Sequence, residues 1–119
     1  TMYIIAKQYH FSASHILHGL PADHPCSRMH GHNYIIEVIL QSASLNENGF
    51  VRDYRELDAL KNYIDDTVDH RHLNDVLGDH GPAAEQLAKY FYDWCKARWP
   101  EMVAVRVSET PRSWAEYRP

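Results

Sequence analysis

Several large classes of protein are closed to this chain by what it lacks. It holds two cysteines in 119 residues, Cys26 and Cys95, too few for a disulfide-stapled scaffold. No stretch approaches the roughly 20 consecutive apolar residues of a bilayer span. The opening residues, Thr1 to Lys7, lack the charged region, apolar run and cleavage site of a secretory signal. A cytoplasmic protein with free thiols is therefore expected. Basic residues are scarce: 12 Lys and Arg stand against 16 Asp and Glu, a net charge of −4, so the chain has no basic field to hold nucleic acid or an anionic membrane. Internal repeats, Pro/Gly-rich linkers and low-complexity runs are also missing.

What remains is ordinary in bulk and unusual in one respect. With 45% apolar and 24% charged residues, the chain has the make-up of a globular protein, and its length fits one domain spanning 1–119. Histidine is over-used: there are 9, and six of them fall between His10 and His32. Imidazole is the commonest metal ligand among side chains.

The apolar, aromatic and β-branched residues from Tyr3 to Phe11 predict a strand. Ile16 to Arg28, with Gly19, Pro21, Asp23 and Pro25, reads as a long loop. From His30 the alternation of His30, His32, Tyr34, Ile36, Val38 and Leu40 against Ile35, Glu37, Ile39 and Gln41 predicts a long strand half buried on each face. Asn46 to Gly49 makes a turn and Phe50 to Arg52 a short pairing strand. Asp53 stands at a capping-box distance from Glu56, and Tyr54, Leu57, Leu60 and Ile64 recur at helical spacing, which predicts a helix to about Val68. A second helix opens near Pro82, carries the stripe Ala84, Leu87, Ala88, Phe91 and Cys95, and ends before Pro100. Met102–Val107 and Trp114–Tyr117 complete the pattern as two short strands. Strand, strand, helix, helix, strand, strand describes an α+β domain, two helices on one face of a four-stranded antiparallel sheet. Its two raw edges predict pairing with further copies in a homo-oligomer.

The sharpest local signal is His30-Gly31-His32. Residues two apart in a strand share a face, so both imidazoles project side by side, with Gly31 leaving the backbone between them uncrowded. His15, at the end of the first strand, would complete a three-histidine set with one coordination position open, the arrangement of catalytic zinc. The plain alternative is two exposed surface histidines. His70-Arg71-His72 follows a helix, and Asp69 beside it fits an acid/base or orienting role, against the alternative of a polar helix end. Cys26 lies in the polar loop and is a candidate nucleophile or base, whereas Cys95 belongs to an apolar stripe and is most simply core. Glu109 closes the strand that begins at Met102.

Together, Phe11-Ser12-Ala13-Ser14-His15, Cys26 to Tyr34 with its His30-Gly31-His32, Val68-Asp69-His70-Arg71-His72-Leu73-Asn74 and Ser108-Glu109-Thr110 resemble the 6-pyruvoyl-tetrahydropterin synthase family over nearly the whole chain. A cysteine followed after three residues by His-Gly-His resembles its bacterial 6-carboxytetrahydropterin synthase branch. The resemblance implies a tunnelling (T) fold whose sheets join between subunits into a barrel, a homohexamer and sites between subunits. It implies Zn²⁺ on His15, His30 and His32, Cys26 as general base, Asp69 and His70 as a proton relay, and Glu109 as the carboxylate that holds the guanidine-like edge of a pterin. The implied reaction is a carbon–carbon lyase step converting 7,8-dihydroneopterin triphosphate to 6-carboxy-5,6,7,8-tetrahydropterin, acetaldehyde and triphosphate, toward 7-deazapurines such as queuosine. Triphosphate elimination to 6-pyruvoyl-tetrahydropterin is the sister reaction. A non-catalytic metal-binding module is the reading from a different class. The chain departs from the family pattern at Ile16, where many members carry Arg, and at Ala83 and Ala84, where many carry Pro-Thr ahead of the helix glutamate.

Overall fold

Two long antiparallel strands lead the computed structural model, which describes residues 1–78 and 81–119. Strand β1 is Tyr3–His15 and β2 is His30–Ser42, paired without a break from Tyr3 opposite Ser42 to His15 opposite His30. β1 thus continues past the expected end at Phe11. Ser12, Ala13 and Ser14 have little strand preference of their own, and the ladder to Asn33, His32 and Gly31 holds them extended.

Alternation sorts the two strands. Tyr9, Phe11, Ala13 and His15 on β1 and Tyr34, Ile36, Val38 and Leu40 on β2 are buried on one face. Helices α1 (Asp58–Thr67) and α3 (Ala84–Lys96) cover that face. Leu60 and Ile64 of α1 and Leu87, Ala88, Phe91 and Cys95 of α3 are buried there, the last as expected of a core thiol. Each fully buried Leu, Ile or Phe stabilises the fold by about 1.5–3 kcal/mol. Phe11 stacks on Tyr34 with ring centroids 4.8 Å apart and meets Phe91 at 6.2 Å, linking sheet to helix.

Several expectations need correction. Asp53 does not open α1 directly; its carboxylate accepts from the Arg55 amide and caps a 3₁₀ turn, Tyr54–Leu57, while Glu56 pairs with Arg52 in place of closing a capping box. Phe50 to Arg52 is not a strand. Asn46 Oδ1 accepts from the Asn48 and Phe50 amides, Val51 is buried, and Arg52 reaches Glu101 through two hydrogen bonds of 3.1 and 2.9 Å, so the segment serves as a plug. α3 starts at Ala84, with Ala83 as N-cap.

Among the described residues the sheet has five strands, in the order β3-β1-β2-β4-β5. β4 is Met102–Thr110 and β5 is Ser113–Tyr117, both antiparallel to their neighbours. The unexpected strand β3, Arg71–His72, pairs parallel to β1 at Ala13 and Ser14. A short helix α2, Leu73–Leu77, follows it at once. Neither element is long enough to imprint a period on the sequence, which is why the four-stranded, two-helix reading missed them. The sheet remains open among the described residues. Among the described residues no helix is long and apolar enough to cross a membrane.

Candidate metal centre

The paired ends of β1 and β2 bring His15 opposite His30, and the two-residue period of β2 carries His32 to the same face. The Nε2 atoms of His15 and His30 lie 2.8 Å apart. One nitrogen from each of His15, His30 and His32 falls in a group no wider than 4.8 Å. Nitrogens bound tetrahedrally to one zinc ion would sit about 3.3 Å apart, within that spread.

Hydrogen bonds settle which nitrogen of two rings is free. His15 Nδ1 lies 2.8 Å from the Pro82 carbonyl and His30 Nδ1 lies 2.7 Å from the Arg28 carbonyl. A carbonyl only accepts, so each Nδ1 carries the proton and each Nε2 presents a lone pair to the shared space. His32 Nε2 is buried and, among the described residues, has no hydrogen-bond partner. Burial also lowers the pKa of His15 and of His32, holding both rings in the neutral form that binds metals. Three converging imidazoles fit a cation, and this cluster can hold a metal ion.

The second layer is partly aromatic and partly acidic. Tyr34 is fully buried, its hydroxyl 3.2 Å from His15 Nδ1, and burial raises its pKa. Its ring meets His15 and His32 edge-on at 6.1 and 5.5 Å. Glu109 Oε2 lies 3.7 Å from His32 Nε2. A register shift in the β4–β5 ladder between Val107 and Thr110 gives β4 one extra residue there, a bulge of the kind that re-aims a side chain. Glu109 also borders a cavity of about 280 Å³ lined by Ala84, Glu85, Ser113 and Trp114, at the start of α3.

Asp69 and His70 stand elsewhere. Asp69 Oδ1 accepts from the Ser12 amide at 3.0 Å and Oδ2 lies 2.9 Å from His70 Nδ1, so the pair sits on the outer edge of β1. The Ser12 hydrogen bond, then the His70 side chain, draws the Asp69 pKa down. His70 holds φ at +58°, the left-handed region that non-glycine residues seldom enter, and its ring is 80% exposed. His70, Arg71 and His72 line a cavity of about 440 Å³ with Ser12, Asn33 and His32. Among the described residues no hydrogen bond or ion pair joins Asp69 or His70 to the three imidazoles. Cys26 is half-buried in the turn Pro25–Ser27, its amide donating to His24 Nδ1 and its carbonyl accepting from Leu17, two residues beyond His15.

Of the other histidines, His24 caps that turn and His72 bonds Ser14, while His80 lies outside the described residues. Gly31 is less constrained than expected: a Cβ there would make only an ordinary 3.5 Å contact with the Ala13 carbonyl. Sequence reasoning missed Tyr34 and the carbonyls of Arg28 and Pro82. A backbone acceptor leaves no mark in a sequence, but Tyr34 shares the parity of His30 and His32 and was open to discovery.

An α+β sheet with a three-histidine, metal-competent cluster at one end defines the class of this protein. Comparison narrows it: residues 4–119 match the family described as 6-pyruvoyl tetrahydropterin synthase, and the chain belongs to that family. It is 35% identical over 123 residues to the 6-carboxy-5,6,7,8-tetrahydropterin synthase of Synechocystis sp., covering 98% of this chain and 93% of that one. Identity to the protein of the same name from Bacillus subtilis is 34% over 125 residues, with coverage of 95% and 83%. The solved 6-pyruvoyl tetrahydropterin synthase of Caenorhabditis elegans superposes with a TM-score of 0.87 at 26% identity, covering 100% of this chain and 96% of that one.

Proposed function

We propose that this chain is a zinc-dependent carbon–carbon lyase that converts 7,8-dihydroneopterin triphosphate and water to 6-carboxy-5,6,7,8-tetrahydropterin, acetaldehyde and triphosphate, toward 7-deazapurines such as queuosine. The observation that carries the reading is the three-imidazole cluster with Glu109 beside it, in a chain whose similar relatives include proteins named for that product. His15, His30 and His32 would hold the ion, and zinc supplies a Lewis acid for the oxygens of the pterin side chain.

The chain's own residues do the rest. Glu109, accepting two parallel hydrogen bonds, anchors the guanidine-like edge of the pterin in the cavity beside Trp114. Cys26 takes a proton from a carbon of the side chain, and His70, oriented by Asp69, returns protons. His70 lies on the β1 edge, which supports a site completed by a neighbouring copy: the stretch of β1 ahead of its pairing with β3, and the raw edge of β5, pair between subunits into a barrel, in a hexamer, as a single cytoplasmic domain spanning 1–119.

Incubating the zinc-loaded protein with 7,8-dihydroneopterin triphosphate and identifying products by mass spectrometry, with an aldehyde trap, tests this. Acetaldehyde with 6-carboxytetrahydropterin is the expected result. Accumulation of 6-pyruvoyl-tetrahydropterin would move the chain to the sister reaction, the activity named for the Caenorhabditis elegans structure. No turnover by an oligomer with full zinc would favour a non-catalytic metal-binding module.

A further inference from the structure

Only three polar or charged residues are buried among the described residues: His15, Asn74 and Ser108. His15 belongs to the metal centre and Ser108 lies in the β4 bulge, which leaves Asn74, 8% exposed, to be accounted for. A carboxamide in an apolar setting destabilises the fold unless both of its ends are paired. Here they are paired to a single residue. Asn74 Oδ1 accepts from the Ile16 amide and Asn74 Nδ2 donates to the Ile16 carbonyl, each at 2.9 Å.

Register explains why that pairing is possible. β3 runs parallel to β1 with Arg71 opposite Ala13 and His72 opposite Ser14, so continued pairing would set residue 74 opposite Ile16. The backbone does not continue, because it turns into α2 at Leu73. The side chain of Asn74, a primary amide with the donor and acceptor of a peptide group, takes the place of the missing rung. It fastens Ile16, the residue directly after His15, from the edge opposite β2. His15 is thus held from three directions: by its pairing with His30, by the Pro82 carbonyl on Nδ1, and through the next residue by Asn74.

We propose that Asn74 is a positioning residue for the metal centre, a side-chain rung that keeps the end of β1 extended so that His15 Nε2 faces His30 and His32. The proposal rests on the reading that the three imidazoles hold a metal ion. Outer residues that orient a ligand typically change metal affinity about 10- to 100-fold when removed. Loss of the rung lets β1 fray at its last residues, and the preorganisation of His15 goes with it.

The test is the Zn²⁺ dissociation constant, by competition with a chromogenic chelator, together with the visible spectrum of the Co²⁺-substituted protein. The set is the wild type, Asn74→Ala, the milder Asn74→Ser, and Ile64→Val as a control that removes a core methylene in α1. Zn²⁺ binding weakened about 10- to 100-fold in Asn74→Ala and less in Asn74→Ser, with an altered Co²⁺ spectrum and an unchanged Ile64→Val constant, is the expected result. A constant within twofold of wild type in either Asn74 variant would overturn the proposal, and so would an equal loss in Ile64→Val. If Asn74→Ala fails to fold, the Asn74→Ser comparison decides. A wild type that binds neither metal would overturn the metal reading itself, a result distinct from failure of the rung.

Discussion

His15 and His30 face each other across the end of the β1–β2 ladder with Nε2 atoms 2.8 Å apart, each ring fixed by a backbone carbonyl on its far nitrogen. Two lone pairs at that distance repel unless a cation, a shared proton or a metal ion, lies between them, and a metal ion also satisfies His32 Nε2. Metal binding is therefore expected to stabilise the fold, by about 2.7 kcal/mol when free zinc is at 100 times its dissociation constant. Calorimetry before and after dialysis against a chelator measures the shift. His32→Ala is expected to abolish both the shift and stoichiometric zinc; retained zinc in that variant would remove His32 from the ligand set.

Cys26 sits in a turn whose backbone is tied to Leu17, so its thiol can be removed without disturbing β1 or β2. Cys26→Ala should keep zinc content and thermal midpoint while lowering turnover by about 10²- to 10⁴-fold, the scale of a lost general base. Unchanged steady-state kinetics would take Cys26 out of the mechanism.

Ala83 occupies the N-cap of α3 with the extended backbone of a good cap, φ −72° and ψ 155°, but has no side-chain acceptor for the amides of the first turn. Gln86 accepts from the Ala83 amide at 3.1 Å, which is half of a capping box. Ala83→Ser supplies the other half and should raise stability by about 1 kcal/mol, read from the urea midpoint. A midpoint at or below wild type would show that the α3 amides are already satisfied.

Asp69 is held below its ordinary pKa first by the Ser12 amide and then by His70. A carboxylate lowered on folding stabilises the protein above its unfolded value, about 3.9, and that contribution disappears as pH falls through the folded value. Asp69→Asn should therefore be less stable than wild type near pH 7, and the two curves should converge as the pH drops below about 4. Parallel curves over that range would contradict the hydrogen bonding described for Asp69.

How much of this could be read from residues alone depended on length. The β2 alternation from His30 and the α3 stripe from Ala84 to Cys95 were long enough to show their periods, and both elements lie where the pattern put them. Ser12 to His15 were pulled into β1 by a partner strand, a non-local cause that local preference does not report. β3 and α2 are too short to have a period, and with them went the place of Asp69, His70 and Asn74 at the β1 edge. The histidine cluster was legible in part. His30 and His32 share a strand face, whereas the approach of His15 depends on the β1–β2 register, which only the folded sheet supplies.

The loop between β1 and β2 leaves from His15 and returns at His30, which are partners in the same ladder. Its two ends are thus pinned to each other by the sheet; the Ile16 backbone, fastened by Asn74, and the Arg28 carbonyl on His30 Nδ1 belong to that frame, and the coordination geometry is indifferent to how many residues lie between those two. Doubling such a loop costs only about 0.6 kcal/mol in closure entropy. Descendants of this chain can therefore lengthen or rebuild residues 17–27, Cys26 included, and trial new chemistry above the imidazoles without dismantling them. The arrangement separates the part of the protein that must stay constant from the part that is free to vary.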